Sequence, residues 1–279
     1  MDKFKIKNFI LILLTLVNVF LLFIVITNVI EERKAQASRM EALENVLAEK
    51  GFTLNPDIEL PDSVPPLLSL KRDMKTEKHN LSSLIGSCSV SDLGGNIFFY
   101  SGLDGEGRFR GTGEFEIILN PGVISKRRDP VGASKTALKK LGLECGELEP
   151  LVTTDGNDTT VVLSCSWDGT DIYDARVTFN FTYDNLLLIS GTRPLDAKFS
   201  VQSSDNYPDS VTILMNFLKS AADTGFIFSE INDLKIEYYM YSAVSGSCTL
   251  KPVWCITTNS GPYYIDAETG KAENIESVS

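Results

Sequence analysis

A single histidine in 279 residues is the sharpest shortage in this sequence. Multi-histidine metal sites and Ser-His-Asp chemistry would both have to run through His79, which lies in a Lys-rich polar stretch. No Cys-x-x-Cys pair occurs, which removes zinc ribbons and thioredoxin-type motifs. No lysine has a serine three places before it and no Gly-x-Ser-x-Gly is present, so two common nucleophile arrangements are missing as well. Basic residues are in deficit: 26 Lys and Arg against 37 Asp and Glu give a formal charge of −11. Nucleic-acid backbones are held by clustered cations, so no nucleic acid is expected as a partner. Wholesale disorder is excluded in turn, because 43% of the residues are hydrophobic and only 23% are charged.

Charge is also missing locally. Residues 9–30, FILILLTLVNVFLLFIVITNVI, contain none. As a helix they would extend about 33 Å, enough for a bilayer core of about 30 Å. Lys3, Lys5 and Lys7 precede the run, whereas Glu31 and Glu32 balance Arg33 and Lys34 after it. This bias predicts a transmembrane helix with a cytoplasmic tail at residues 1–8 and everything after Ile30 outside the cell. Ala35-Gln36-Ala37 resembles a cleavage site, but four charges separate it from an apolar run longer than a signal peptide needs, so an uncleaved signal anchor is expected. Three of the basic and one of the acidic residues precede the exported part, which is left with a formal charge of −13.

Five cysteines, Cys88, Cys145, Cys165, Cys248 and Cys255, fall in that exported part. The odd count leaves at least one thiol free or paired with another chain. Cys248 and Cys255 are close enough to meet across a hairpin or to lie as neighbours in one sheet; structural thiols or one facultative disulfide are expected.

Residues 31–66 read as a juxtamembrane helix and a linker. Met40, Leu43, Val46 and Leu47 share one helical face up to Gly51, and Pro56, Pro61, Pro65 and Pro66 favour extended chain. Strands are predicted at 97–101, 113–119, 159–167, 172–183 and 186–191, with a helix after Asp129-Pro130. A second helix over 210–222, capped by Asp209 and ended by Gly225, precedes strands at 235–242, 252–258 and 263–267. Both halves thus run helix, then antiparallel meander. The expected fold class is α+β: a single amino-terminal transmembrane helix followed by an exported domain of two similar lobes, 67–200 and 201–279.

Three stretches invite a chemical reading. The Gly-rich segment 102–113 fails the G-x-G-x-x-G test at Arg110 and reads as a flexible hairpin loop. Asp155-Gly156-Asn157-Asp158 lacks the glycine and the closing glutamate of a calcium loop, and reads as a turn. The many carboxylates carry no context separating a catalytic pair from solvated surface. No catalytic, cofactor-binding or metal-binding residue is expected. Asn18, in mid-span one turn after Thr15, is different: an amide in hydrocarbon seeks a partner, and interhelical hydrogen bonds are worth about 0.6–2 kcal/mol. Thr15, Asn18 and Leu22 are the predicted partner-binding face.

Several short motifs carry a family likeness. The basic tail with Leu16-Val17-Asn18-Val19-Phe20-Leu21-Leu22, the pairs Leu60-Pro61 and Pro65-Pro66, and Gly169-Thr170-Asp171-Ile172-Tyr173-Asp174-Ala175 resemble parts of the YycI (WalI) proteins. So does the ending, Pro252-Val253-Trp254-Cys255-Ile256 with Gly261-Pro262-Tyr263-Tyr264-Ile265-Asp266-Ala267-Glu268-Thr269-Gly270, which is shared with YycH proteins and more loosely with PepSY-type domains. The cysteines and the Gly-rich segment depart from that family's pattern. The resemblance implies a non-enzymatic, membrane-anchored accessory regulator of a WalK/YycG-type sensor histidine kinase, with a YycH-like protein as a further partner. The alternatives are an anchored PepSY-like envelope protein that binds or inhibits a protease or a cell-wall component, and an exported hydrolase.

Overall fold

The computed structural model describes residues 3–271, apart from 59, 62, 127, 203–206, 225–227 and 244–245. The expected end of the second helix at Gly225 lies outside the described residues. Nothing between Lys3 and Lys50 breaks a helix: the stretch has neither Gly nor Pro, and α1 (Lys3–Lys50) runs through all of it. Gly51 ends it. Its φ of 79° is open to glycine, its N–H donates to Ala48 O, and the Phe52 N–H reaches back to Leu47 O at 2.9 Å, a Schellman closure.

Three further helices follow: α2 (Met74–Ile85), α3 (Pro130–Lys140) and α4 (Ser210–Thr224). The strands are β1 (Thr53–Leu54), β2 (Leu67–Lys71), β3 (Ser89–Asp92), β4 (Ile97–Ser101), β5 (Gly105–Arg110), β6 (Glu114–Leu119), β7 (Glu144–Cys145) and β8 (Leu151–Asp155). They continue with β9 (Asp158–Trp167), β10 (Thr170–Thr182), β11 (Asn185–Thr192), β12 (Ala197–Gln202), β13 (Glu230–Ala243), β14 (Ser247–Thr258) and β15 (Gly261–Asp266). Asp129 and Asp209 cap α3 and α4 as expected, accepting from Gly132 N and Thr212 N at 2.8 Å each.

The expected fold class is corrected on two counts. There are no two separate meander lobes. All the strands join one sheet, with the main order β12-β2-β14-β13-β10-β11-β6-β5-β4-β3 and β15 beside β14. The reason is pairing across the chain: β2, from the first half, lies between β12 and β14, and β10 meets β13 in parallel at Ile172 and Tyr238. The sheet is mixed, since β1 also pairs with β13 in parallel, but most pairs are antiparallel. Second, no helix among the described residues is long and apolar enough to cross a membrane, so the transmembrane helix of that fold class is not found there.

Two large hydrophobic clusters and a small one around Tyr173 and Tyr264 are found among the described residues. In one, α2 and α3 bury Leu81, Leu84, Ile85, Ala137 and Leu138 with Phe109, Ile117 and Phe179. In the other, α4 and the last turns of α1 enclose Trp254: Leu43, Leu47, Leu214, Phe217 and Leu218 all belong to its cluster. Trp254 is thus in the core between sheet and helix. An ion pair from Arg39 to Asp209 ties α1 to the start of α4.

The Gly-rich segment corrects a further expectation. Its middle is β5, paired to β4 and β6, and not a loop. Gly102 sits so close to the end of α2 that a Cβ there would fall 2.2 Å from Ile85 O, so close packing explains this glycine better than flexibility. A buried ion cluster joins α2 to the strands. Glu77 receives Arg72 Nε and Nη2 at 3.0 and 2.6 Å, Arg193 Nη2 at 2.5 Å and the Tyr100 hydroxyl at 2.5 Å. Asp196 takes Arg193 Nη1 at 2.7 Å.

Candidate functional site

Two features stand outside the packing. The first is the amino-terminal half of α1. From Leu11 to Ile24 every side chain that is described is exposed, and the large apolar ones are 38–64% accessible. Soluble proteins rarely leave so continuous an apolar surface bare. Thr15, Asn18 and Leu22 lie on this part of α1, all exposed, and their three-and-four spacing places them within one side of the helix. The Thr15 hydroxyl donates to Leu11 O at 2.9 Å, so its donor is spent inside the helix, leaving the Asn18 amide as the more available of the two polar groups. The other half of α1 buries Leu43 and Leu47 in the core, so one continuous helix links the bare apolar face to the cluster around Trp254.

The second feature is a cleft of about 780 Å³ on one edge of β13. Its walls come from the proline-rich segment (Asp57, Leu60, Pro61, Ser63, Pro65), the 147 loop, the start of β10 (Gly169–Asp171) and residues 233–237 of β13. Among the described residues five carboxylates line it, Asp57, Glu147, Asp171, Asp233 and Glu237, against one lysine, Lys235, whose Nζ is 3.1 Å from Asp233. Glu237 is only 5% exposed; its carboxyl is hydrogen-bonded with the Cys255 thiol, and its Oε2 has no hydrogen-bond partner among the described residues. Burial first, and the nearby Asp171 charge second, push its carboxyl up to about 7. Asp171 is also raised by burial, though the Glu147 N–H donates to its Oδ1 at 2.9 Å. Behind Glu237 stands an aromatic cluster in which the rings of Tyr173 and Tyr264 are 4.1 Å apart beside Cys255.

This arrangement can attract a cation but is not built like a metal centre. Among the described residues no group of three or more His, Cys, Asp or Glu side chains could hold a metal ion. His79 is exposed on α2. All five cysteines are free thiols; Cys248 and Cys255 sit on the same strand, β14, so a hairpin does not bring them face to face. Burial pushes the Cys165 and Cys255 thiols up to about 12 and Cys248 to about 11, which makes them poor nucleophiles.

The sequence reading singled out the α1 face but missed the cleft. Asp171 and Glu237 are 66 positions apart and meet only because β10 and β13 pair in parallel. One signal was available: Glu237 stands in the middle of a strand, directly before Tyr238 and Tyr239, where a charge is out of place.

No family model matches the chain, and no curated protein matches it. Among solved structures it is similar in fold to an uncharacterized protein from Eubacterium rectale, with a TM-score of 0.50 and 13% identity over 76% of this chain and 86% of that one. At that identity the likeness concerns the fold alone.

Proposed function

We propose that this chain is a membrane-attached, non-enzymatic accessory regulator of a sensor histidine kinase of the WalK/YycG type. It works beside a YycH-like partner and is held at the cell membrane by its apolar amino-terminal segment, with the folded domain outside. The observation that carries the reading is the division of α1. Its exposed apolar half presents Thr15, Asn18 and Leu22, while its last turns are fixed in the domain core through Leu43 and Leu47. A ligand-bearing or partner-bearing domain can therefore act on a helix of the kinase through one stiff rod, without chemistry of its own. The motifs similar to YycI proteins, from Leu16 to Leu22 and from Pro252 to Gly270, support the choice of kinase.

The test is co-purification from membranes. The full-length chain should bring down the sensor kinase, and a version in which residues 9–30 are replaced by an unrelated apolar segment of equal length should not. Equal recovery of the kinase by both would defeat the proposal.

A further inference from the structure

We propose that the acidic cleft is a strand-addition site: an extended polypeptide segment carrying Lys or Arg side chains pairs with the open edge of β13. This goes beyond the kinase reading and does not depend on it. Along that edge, β1 pairs with β13 at Glu230 and Ile231, and β10 pairs with it at Tyr238. Between these contacts residues 233–237 have β14 on one side and the cleft on the other. The gap is about 17 Å of strand, room for about five residues.

The backbone groups of that gap face the cleft. Tyr238 lies opposite Pro252, which has no N–H to give, so this is a pair whose backbone groups point away from each other. The same alternation holds at Met240, whose N–H goes to Asp174 Oδ1 at 2.9 Å, and at Leu234, whose N–H is taken by its neighbour Asp233 at 2.9 Å. By that alternation the Ile236 N–H and C=O and the Leu234 C=O are turned towards the cleft. Asn55 closes one end of the gap by donating to Asn232 O at 3.1 Å.

Charge selects the occupant. Lys235 pairs directly with Asp233, and its charge is shared with Glu147, Asp171 and Glu237, so among the described lining residues the carboxylates outnumber the single lysine. The Glu237 Oε2 atom, buried and without a hydrogen-bond partner among the described residues, is an acceptor open to an incoming donor. Main-chain pairing would give such a peptide its affinity and the carboxylates its preference for cations.

The experiment uses the full chain in a non-ionic detergent and fluorescence anisotropy of a labelled pentapeptide of alternating Lys and Val. Two comparison peptides carry Glu in place of Lys, or N-methyl groups on the valine amides. The basic peptide should bind saturably and the Glu peptide should not, while N-methylation of the amides that pair should weaken binding at least tenfold. Glu237→Gln and Asp171→Asn should each weaken it on the order of tenfold. Asp57→Asn, at an exposed position, leaves the fold alone and should also weaken binding, more so at low salt. Equal binding of the Glu peptide, undiminished binding of the N-methylated one, or wild-type affinity in the folded Asp57 and Asp171 variants would each overturn the proposal.

Discussion

Replacing Glu77 by Ala removes the centre of the buried ion cluster, and the structure fixes what is left behind. Arg72 and Arg193 have side chains only 5% and 4% exposed, so neither can turn to water. Arg193 keeps Asp196, and Arg72 keeps the Asn96 carbonyl at 2.8 Å and the face of the Phe98 ring at 4.7 Å. Arg193 would then keep one carboxylate, Arg72 would keep none, and the Tyr100 hydroxyl would lose its acceptor. Leaving a buried charge uncompensated costs about 3–5 kcal/mol. For a domain of this size each kcal/mol lowers the melting temperature by about 2–4 °C, so the loss should be roughly 6–20 °C. Glu77→Gln keeps an acceptor of the same shape and should fall between wild type and Glu77→Ala. The assay is thermal unfolding of the full chain in detergent, followed by near-UV circular dichroism. A Glu77→Ala protein that melts within about 2 °C of wild type would refute the claim that this cluster joins α2 to the sheet.

Trp254→Ala empties the centre of the second cluster and should cost about 3–5 kcal/mol, read as a lower melting temperature; a variant of wild-type stability would take Trp254 out of the core. Burial holds the Glu237 carboxyl at about 7 and Asp174 at about 6, above their unfolded values, so the folded state binds these protons more tightly. Their effect on stability is therefore most favourable below pH 4 and is lost as pH rises through 6 to 7; urea unfolding at pH 5 and pH 8 should show the decline, and Glu237→Gln should flatten it. All five thiols should react with a thiol reagent after unfolding, whereas Cys165, Cys248 and Cys255 should stay unreactive in the native protein; rapid native labelling of these three would contradict their burial.

What could be read in the sequence was local. The caps Asp129 and Asp209 and the stop at Gly51 depend on near neighbours, and the structure agrees with them. α2 was hidden because its inward face, Met74, Glu77, Leu81, Leu84 and Ile85, has a glutamate where the helical pattern calls for an apolar residue. That glutamate makes sense only beside Arg193, which is 116 positions away. The single sheet was hidden for the same reason: β2 between β12 and β14, and β10 beside β13, are pairings between distant segments that element order does not reveal. Glycine misled in the opposite direction, since Gly102, Gly105 and Gly107 of the segment 102–113 pack closely against Ile85 or Leu81 of α2. The cleft required all of these placements at once.

The central claim, that the exposed face of α1 binds a sensor kinase, is tested most directly by Asn18→Leu. The change keeps the side-chain size, improves the affinity of the segment for lipid and removes one donor and one acceptor from the face that holds Thr15 and Leu22. Crosslinking of the kinase in intact membranes, at matched levels of both proteins, should fall about 3- to 30-fold, as expected for a helix–helix bond worth about 0.6–2 kcal/mol. Leu21→Ile, beside this face, should leave it unchanged. Equal crosslinking by wild type and Asn18→Leu would contradict the account and reduce the amino-terminal segment to an attachment.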